Sequence, residues 1–226
     1  MLKHNRNSFK ALLDHIDAII FDLDGTLVDS MWIWKQIDID FLGKRGIPFP
    51  DDLQKEIEGM SFTETAHYFI ERFHLNEPLE AVQEEWNEMA RTYYKTHIKL
   101  KEQVRPLIDL AKARNIKMGI GTSNSRELLE EVIHSHDIKQ YFETMRTSCE
   151  VEKGKPSPDI FLKVADDLGI KPSRCLVFED THAGVMAAKN AGMNVIAVYD
   201  QLSEPYIDVI KRDADAFIYS FKELFD

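Results

Sequence analysis

Residues 19–30 read IIFDLDGTLVDS, an apolar run that ends in two carboxylates and a turn. A short run of apolar, β-branched and aromatic residues bounded by turn residues is typical of a buried strand. In an open parallel sheet, ligands bind in the crevice beyond the carboxyl ends of the strands. We therefore predict that Asp22 and Asp24 project into a crevice where chemistry occurs and not into a packed core.

The two carboxylates suit phosphoryl transfer. A carboxylate can form a covalent intermediate with a phosphoryl group, which makes Asp22 a candidate nucleophile. Asp24 is a candidate general acid and base that would protonate a leaving group and later take a proton from water. An acidic turn without a catalytic role has the same residue types, because Asp and Gly are common in turns. The remainder of the chain has to decide between the two interpretations.

Composition limits the class of protein and its partners. The chain has 226 residues, 44% of them hydrophobic, which suits one large domain or one domain that carries a smaller one. A net charge of −11 disfavours nucleic acid and anionic membranes as partners. Cys149 and Cys175 have no metal-binding spacing, so reduced thiols are expected. With no signal-peptide core and no apolar run of about 18 residues, we expect a cytoplasmic protein that is a monomer or a weak homo-oligomer.

The pattern of hydrophobic residues changes along the chain. Ile33, Ile37 and Phe41 recur at every fourth position, as in an amphipathic helix, and no convincing strand follows before residue 97. From there onward, strands and helices alternate up to a short last strand and a terminal helix. This alternation predicts an α/β fold with a doubly wound, mostly parallel sheet. The predicted division is an α/β core from residues 1–30 and 97–226, with an inserted all-helical cap domain at 31–96.

Three predicted strands end in polar residues, and a lysine lies on a further loop. Four carboxylates that converge on one crevice would repel one another. Mg²⁺, which prefers oxygen ligands and keeps several waters, would relieve that repulsion. Thr122 and the backbone N–H groups that follow it at a helix start suit an anion, and Lys155 supplies a positive charge. The full set is Asp22 and Asp24; Thr122, Ser123 and Asn124; Glu179 and Asp180; and Lys155.

Four motifs in this order resemble those of the haloacid dehalogenase-like hydrolases that carry a helical cap inserted after the first motif. The similarity extends over nearly the whole chain from about residue 16 onward. The motifs read DLDGTLVDS at 22–30, TSN at 122–124, GKPSPD at 154–159 and FEDTHAGVMAA at 178–188.

The resemblance implies a role for each motif. Asp22 would be the nucleophile that forms an aspartyl-phosphate, and Asp24 the general acid and base. A Mg²⁺ ion would be held by Asp22, the backbone carbonyl of Asp24, Asp180 and, in an assisting role, Glu179. The groups assigned to the phosphate are Thr122, Ser123, Asn124 and Lys155, together with the turn residues Gly25 and Thr26.

The substrate is expected to be a small phosphate ester. Family members that dehalogenate carbon generally lack the second aspartate, so Asp24 favours a phosphatase. The alternative is a β-phosphoglucomutase-like sugar-phosphate mutase. The mutases carry an arginine after the Gly-x-Ser of the cap loop, where this chain has Phe62, and a histidine about where it has Trp34. A third hypothesis is a non-enzymatic phospho-aspartate signalling module, which the helical insertion and the position of Thr122 disfavour.

Two aromatic residues of the predicted cap are candidates for substrate contact. Phe62 lies on the loop that faces the site in relatives. Trp34 follows the apolar stripe of its helix, whereas Trp32 falls off that stripe. Packing is the commoner role for such residues. Because Trp34 fits the packing stripe and Trp32 does not, Trp32 is the tryptophan predicted to line the pocket.

Overall fold

A computed structural model describes residues 6–225, so the expectations for residues 1–5 lie outside the described part. The helices are α1 (Arg6–Leu13), α2 (Met31–Lys44), α3 (Leu53–Ile57), α4 (Phe62–Phe73), α5 (Leu79–Thr96), α6 (Val104–Ala113), α7 (Arg126–Ser135), α8 (Asp159–Leu168), α9 (His182–Asn190) and α10 (Ile207–Asp213). The strands are β1 (Ala18–Phe21), β2 (Val28–Asp29), β3 (Lys99–Leu100), β4 (Lys117–Thr122), β5 (Thr144–Thr147), β6 (Cys175–Glu179), β7 (Asn194–Val198) and β8 (Ala216–Ile218).

The main sheet has six strands in the order β5-β4-β1-β6-β7-β8, and every neighbouring pair is parallel. Phe21, the last residue of β1, is paired with Ile120 of β4 and Phe178 of β6. All strands therefore end at one edge, and the polar residues after β1, β4 and β6 are brought there together. The predicted doubly wound α/β fold is confirmed.

Helices cover both faces of this sheet. Ile19 and Phe21 of β1 belong to one hydrophobic cluster, whereas Ala18 and Ile20 belong to another. Alternate residues of a strand point to opposite faces, so each face has its own core. Burying one large apolar side chain contributes about 1.5–3 kcal/mol, which explains why an apolar run without polar alternation forms the central strand.

Helices α2 to α5 form an insertion between β2 and β3. Its interior is aromatic: the ring of Trp86 lies 5.4 Å from that of Phe41 and 4.9 Å from that of Phe69. Helix α4 begins with a capping box, in which Ser61 Oγ accepts from the Glu64 N–H and Glu64 accepts from the Ser61 N–H. Such a cap contributes about 1 kcal/mol and fixes where the helix starts.

The chain enters the insertion after β2 and leaves it before β3, and these two short strands pair antiparallel. Val28 of β2 lies opposite Leu100 of β3, and Asp29 lies opposite Lys99. The sequence did not predict this pair, because strands of two residues have no measurable periodicity.

The expectation of a terminal helix is wrong for residues up to 225. After β8 the chain forms only a 3₁₀ turn at Phe221–Leu224, capped by Ser220. This turn has four residues, which is a typical length for a 3₁₀ segment. Among residues 6–225, no helix combines the length and apolar character that a membrane crossing requires.

Candidate active site

Asp22 lies immediately after β1 and is only 6% exposed. Lys155 Nζ donates to Asp22 Oδ1 at 2.5 Å and to Glu179 Oε1 at 2.6 Å. Burial raises the pKa of Asp22 to about 8, although Lys155 opposes the shift. Burial alone would lower the pKa of Lys155, but the two carboxylates raise it well above its ordinary value. The lysine is therefore a fixed positive charge beside the candidate nucleophile.

Glu179 is hydrogen-bonded to Lys155 and Thr181 in this structure. Its Oε1 accepts from Lys155, and its Oε2 accepts from the Thr181 N–H at 2.7 Å and the Thr181 hydroxyl at 3.1 Å. Both carboxylate oxygens are thus engaged by protein donors. The arrangement fits the assisting role better than direct contact with a metal.

Asp180 is buried with one unsatisfied oxygen. Its Oδ1 accepts from the Thr26 hydroxyl at 3.0 Å, whereas Oδ2 has no hydrogen-bond partner within residues 6–225. Burial, together with the charges of Glu179 and Asp22, raises the pKa of Asp180 well above its ordinary range. Asp180 does not itself line the cavity described below. A buried carboxylate oxygen without a partner is costly, and a bound cation would remove that cost.

The turn after Asp24 is shaped around Asp180. Gly25 has a φ of +75°, and a Cβ there would collide with Asp180 Oδ2 and lie 2.8 Å from Met31 Cγ. Only glycine adopts this backbone so close to another residue without strain. The structure therefore places Gly25 and Thr26 against Asp180.

The donor set suits Mg²⁺ more than a metal that needs several side-chain ligands. Within residues 6–225, no group of three or more His, Cys, Asp or Glu side chains is arranged to hold an ion. Mg²⁺ is commonly bound by one or two carboxylates with several waters and substrate oxygens. The carboxylates of Asp22 and Asp180 follow the neighbouring strands β1 and β6 at the same edge of the sheet.

Asp24 accepts three side-chain hydrogen bonds. Oδ1 accepts from the Ser30 hydroxyl at 2.6 Å and from the Tyr94 hydroxyl, and Oδ2 accepts from Asn124 Nδ2 at 2.7 Å. The Tyr94 hydroxyl in turn accepts from Trp34 Nε1 at 2.8 Å and from Asn124 Nδ2 at 3.0 Å. Asp24 is thus held from both ends of the insertion, by Ser30 before α2 and by Tyr94 near the end of α5.

Tyr94 was not predicted as a site residue. Its hydroxyl is completely enclosed, and burial raises its pKa well above the ordinary value, with Asp24 adding to the effect. In the sequence it is one of two adjacent tyrosines late in a helix, and nothing there indicates which of them faces the core.

The loop after β4 supplies hydroxyl and amide groups. Thr122 is buried, and its Oγ1 accepts from the Asn124 N–H at 3.1 Å. Ser123 Oγ is buried without a hydrogen-bond partner among the described residues. The Ser123 carbonyl accepts from the Phe62 N–H at 2.9 Å, which joins the insertion to this loop. The Ser123 hydroxyl lines the same cavity as Lys155 and, within residues 6–225, is free to donate to an anion.

These groups open onto one cavity of about 200 Å³ between the sheet edge and the insertion. The core contributes Asp22, Asp24, Lys155, Glu179 and residues 122–124, and the insertion contributes Trp34, Asp38, Gln54, Met60, Phe62 and Trp86, among others. A cavity of this size, with convergent polar groups on one side, suits a small ligand.

The prediction for Trp32 is wrong, whereas Phe62 does line the cavity. Trp32 is 49% exposed and packs edge-on against Tyr93. Trp34 lines the cavity instead, because its hydrogen bond to Tyr94 holds the ring at the junction with the core. A residue on the apolar stripe faces the core, and here the cavity lies between that stripe and the core.

Comparison with known proteins identifies the family. The profile of the haloacid dehalogenase-like hydrolases matches residues 19–198. The chain is 30% identical to a phosphorylated carbohydrates phosphatase of Thermotoga maritima, over 80% of this chain and 84% of that protein. It is 28% identical to a fructose-1-phosphate phosphatase of Escherichia coli, over 80% of this chain and 95% of that protein.

A solved structure shows the same fold. The β-phosphoglucomutase of Clostridium difficile is 24% identical and superposes with a TM-score of 0.78, covering 92% of this chain and 93% of that one. The chain belongs to the haloacid dehalogenase-like hydrolase family, as its four motifs indicated.

Proposed function

We propose that this protein is a Mg²⁺-dependent phosphatase that hydrolyses a small phosphorylated metabolite through an aspartyl-phosphate on Asp22. One observation carries the proposal. The buried Asp22 carboxylate at the end of β1 opens onto a cavity that also holds Lys155, Thr122 and Asp24. A carboxylate nucleophile, a fixed cation, a hydroxyl and a second carboxylate are the groups that phosphoryl transfer to and from a side chain requires.

In the first step, an Asp22 oxygen forms a bond to phosphorus as the bond to the leaving oxygen breaks. Lys155 and the hydroxyl groups of Thr122 and Ser123 stabilise the phosphoryl oxygens. Asp24 gives its proton to the leaving oxygen. In the second step, Asp24 takes a proton from water, which attacks the aspartyl-phosphate and releases inorganic phosphate with Asp22 restored.

Asp22, Asp180 and the backbone carbonyl of Asp24 would hold the Mg²⁺ ion. When bound, the ion supplies positive charge that offsets the carboxylates and the phosphate. The unsatisfied Asp180 Oδ2 supports this assignment, because the fold encloses that oxygen without giving it a donor within residues 6–225.

Hydrolysis is favoured over phosphoryl transfer between sugar hydroxyls. A mutase that acts through a bisphosphate needs a second anion site on the insertion. Among described residues, the insertion lines the cavity without any Lys, Arg or His, and Phe62 occupies the position of the mutase arginine. The relatives named as phosphatases of phosphorylated carbohydrates and of fructose 1-phosphate support a sugar phosphate as substrate.

Hydrolysis of p-nitrophenyl phosphate tests the proposal. We expect release of p-nitrophenol with Mg²⁺, loss of activity with EDTA and recovery when Mg²⁺ is added. Asp22→Asn should lower kcat about a thousandfold or more, since removing a nucleophile abolishes the covalent route. Asp17→Asn is the matched control, because Asp17 precedes the same strand at its opposite end and pairs with Arg174 in solvent. Activity that survives Asp22→Asn would overturn the assignment.

Product analysis distinguishes hydrolysis from transfer of the phosphoryl group between sugar hydroxyls. With β-glucose 1-phosphate as substrate, we expect inorganic phosphate and glucose as the products. Formation of glucose 6-phosphate faster than phosphate release would establish a mutase instead.

A further inference from the structure

Asp38 is a buried carboxylate of the insertion that the proposed chemistry does not use. It lies on α2, is 5% exposed and lines the cavity on the side opposite the sheet. Asp38 Oδ2 accepts from Gln54 Nε2 at 2.8 Å. Gln54 is the second residue of α3 and lines the same cavity. Buried carboxylates are rare because their desolvation is costly, so this one requires an explanation.

The remaining hydrogen-bonding capacity of this pair is open. Within the described residues, Asp38 Oδ1 accepts no hydrogen bond, and Asp38 has no cationic neighbour. Gln54 keeps its carbonyl oxygen and one N–H, since it makes only the bond to Asp38 among residues 6–225. Asp38 Oδ1, one N–H of Gln54 and the Gln54 carbonyl oxygen therefore remain as an acceptor, a donor and a second acceptor on α2 and α3.

The charge of the cavity wall restricts what can lie there. The insertion contributes the carboxylates Asp38 and Glu58 and, within the described part of the chain, no basic residue. A leaving group with a carboxylate or a second phosphate would be repelled by Asp38, in a cavity where water screens charges weakly. A neutral leaving group avoids this repulsion.

We propose that Asp38, positioned by Gln54, forms the subsite that selects the leaving group, and that it takes the hydroxyl groups of a neutral polyol phosphate. This inference rests on the proposed phosphatase function. A hydroxyl donates to Asp38 and exchanges hydrogen bonds with Gln54, so it uses both kinds of group. An ammonium group only donates and would leave the Gln54 N–H unpaired.

Steady-state kinetics on four substrates test the subsite. Glycerol 3-phosphate and sorbitol 6-phosphate carry hydroxyl groups, 2-phosphoglycolate carries a carboxylate, and p-nitrophenyl phosphate has neither. Wild-type protein should prefer both polyol phosphates to 2-phosphoglycolate. Asp38→Asn should lower kcat/KM for the polyol phosphates about tenfold to a hundredfold, mainly through KM, and should weaken discrimination against 2-phosphoglycolate. Activity on p-nitrophenyl phosphate should stay within about twofold of wild type.

Asp40→Asn is the matched control, because Asp40 lies on the same helix and is exposed. It removes the same charge and should leave all four substrates unchanged. Asp38→Leu removes both acceptor oxygens at similar volume and should have a larger effect on the polyol phosphates. If Asp38 only fastened α2 to α3, the variants would lower activity on all substrates in proportion, and that result would overturn the proposal.

Three further outcomes are decisive. A wild-type preference for 2-phosphoglycolate, or for phosphoethanolamine added as a cationic probe, would overturn the hydroxyl subsite while leaving the phosphatase intact. A wild-type protein that hydrolyses none of these esters with Mg²⁺ would overturn the phosphatase function and the subsite with it. Active wild type with unchanged selectivity in both Asp38 variants would refute the subsite alone.

Discussion

The two walls of the cavity differ in construction. On the sheet side, each functional group follows a parallel strand or its adjoining loop, and the carboxylates are matched by Lys155, hydroxyl groups and backbone donors. On the insertion side, the wall is mainly aromatic and aliphatic, with Asp38 and Gln54 as a polar pair and no cation among described residues. The difference indicates that reaction chemistry and substrate selection are separable. Changes on the sheet side should abolish turnover of every substrate, whereas changes on the insertion side should alter which substrate is used.

The largest effect is expected from Lys155→Met. Without the ammonium group, Asp22 and Glu179 are buried carboxylates with no counter-charge. Breaking a buried pair in this way costs about 3 kcal/mol or more, and loss of charge stabilisation should lower kcat about a thousandfold. Urea unfolding and p-nitrophenyl phosphate hydrolysis measure the two effects.

Lys153→Met is the control for this change, because Lys153 lies two residues earlier and is exposed. It should retain full activity and stability. A Lys155→Met protein with more than a tenth of wild-type activity would show that the sheet-side wall does not depend on its lysine.

The second-largest effect is expected in the pH dependence of stability, through Asp38 on the insertion side. The pKa of Asp38 is raised to about 7 by burial, so the folded protein keeps this proton where an unfolded chain has released it. Stability from this group is full below about pH 4 and is lost as the pH rises to about 7. Asparagine does not ionise, so the stability of Asp38→Asn relative to wild type should rise by about 2–4 kcal/mol as the pH increases from 4 to 8.

Denaturant unfolding at several pH values measures this difference. The free energy of unfolding of Asp40→Asn, relative to wild type, should stay nearly constant over the same range because Asp40 is exposed. A pH-independent difference for Asp38→Asn would mean that Asp38 ionises as it does in water.

Tyr94→Phe tests the contact between the two walls. The change removes one donor to Asp24 and the acceptor for Trp34. Because a misplaced acid matters most for poor leaving groups, kcat for glycerol 3-phosphate should fall about tenfold to a hundredfold and that for p-nitrophenyl phosphate much less. Tyr93→Phe is the control, since Tyr93 packs against Trp32 outside the cavity. Equal losses on both substrates would show that Tyr94 does not act through Asp24.

The smallest effect is expected from Gly59→Ala at the junction. Gly59 has a φ of +80°, and a Cβ there would lie 2.5 Å from Ala183 Cβ and 2.8 Å from the Lys155 carbonyl oxygen. Strain and contact together should cost about 2 kcal/mol and raise KM. Gly46→Ala has the same backbone problem at φ +69° in open space, so it isolates the strain, about 1 kcal/mol. If both substitutions lowered the free energy of unfolding equally, the contacts of the Gly59 Cβ with Ala183 and Lys155 would add no cost.

The sequence predicted the sheet side much better than the insertion side. Residues such as Asp22, Glu179 and Lys155 could be anticipated because strand ends in a parallel sheet converge whatever the details of packing. The rotation of the insertion helices against the core decides which tryptophan faces the cavity. It also decides that Tyr94 reaches Asp24. Helical periodicity finds the apolar stripe of Trp34 but does not show that a cavity lies against it. The hydrogen bond from the Thr26 hydroxyl to Asp180 joins residues 154 positions apart, and sequence patterns do not show such a contact.

The pairing of Asp29 with Lys99 brings the beginning and the end of the insertion side by side. A segment whose two ends meet can be lengthened, shortened or replaced without separating the strands that flank it. Under the proposed function, substrate preference would therefore be modular: a different set of helices joined to the same β2–β3 pair would meet an unchanged sheet edge.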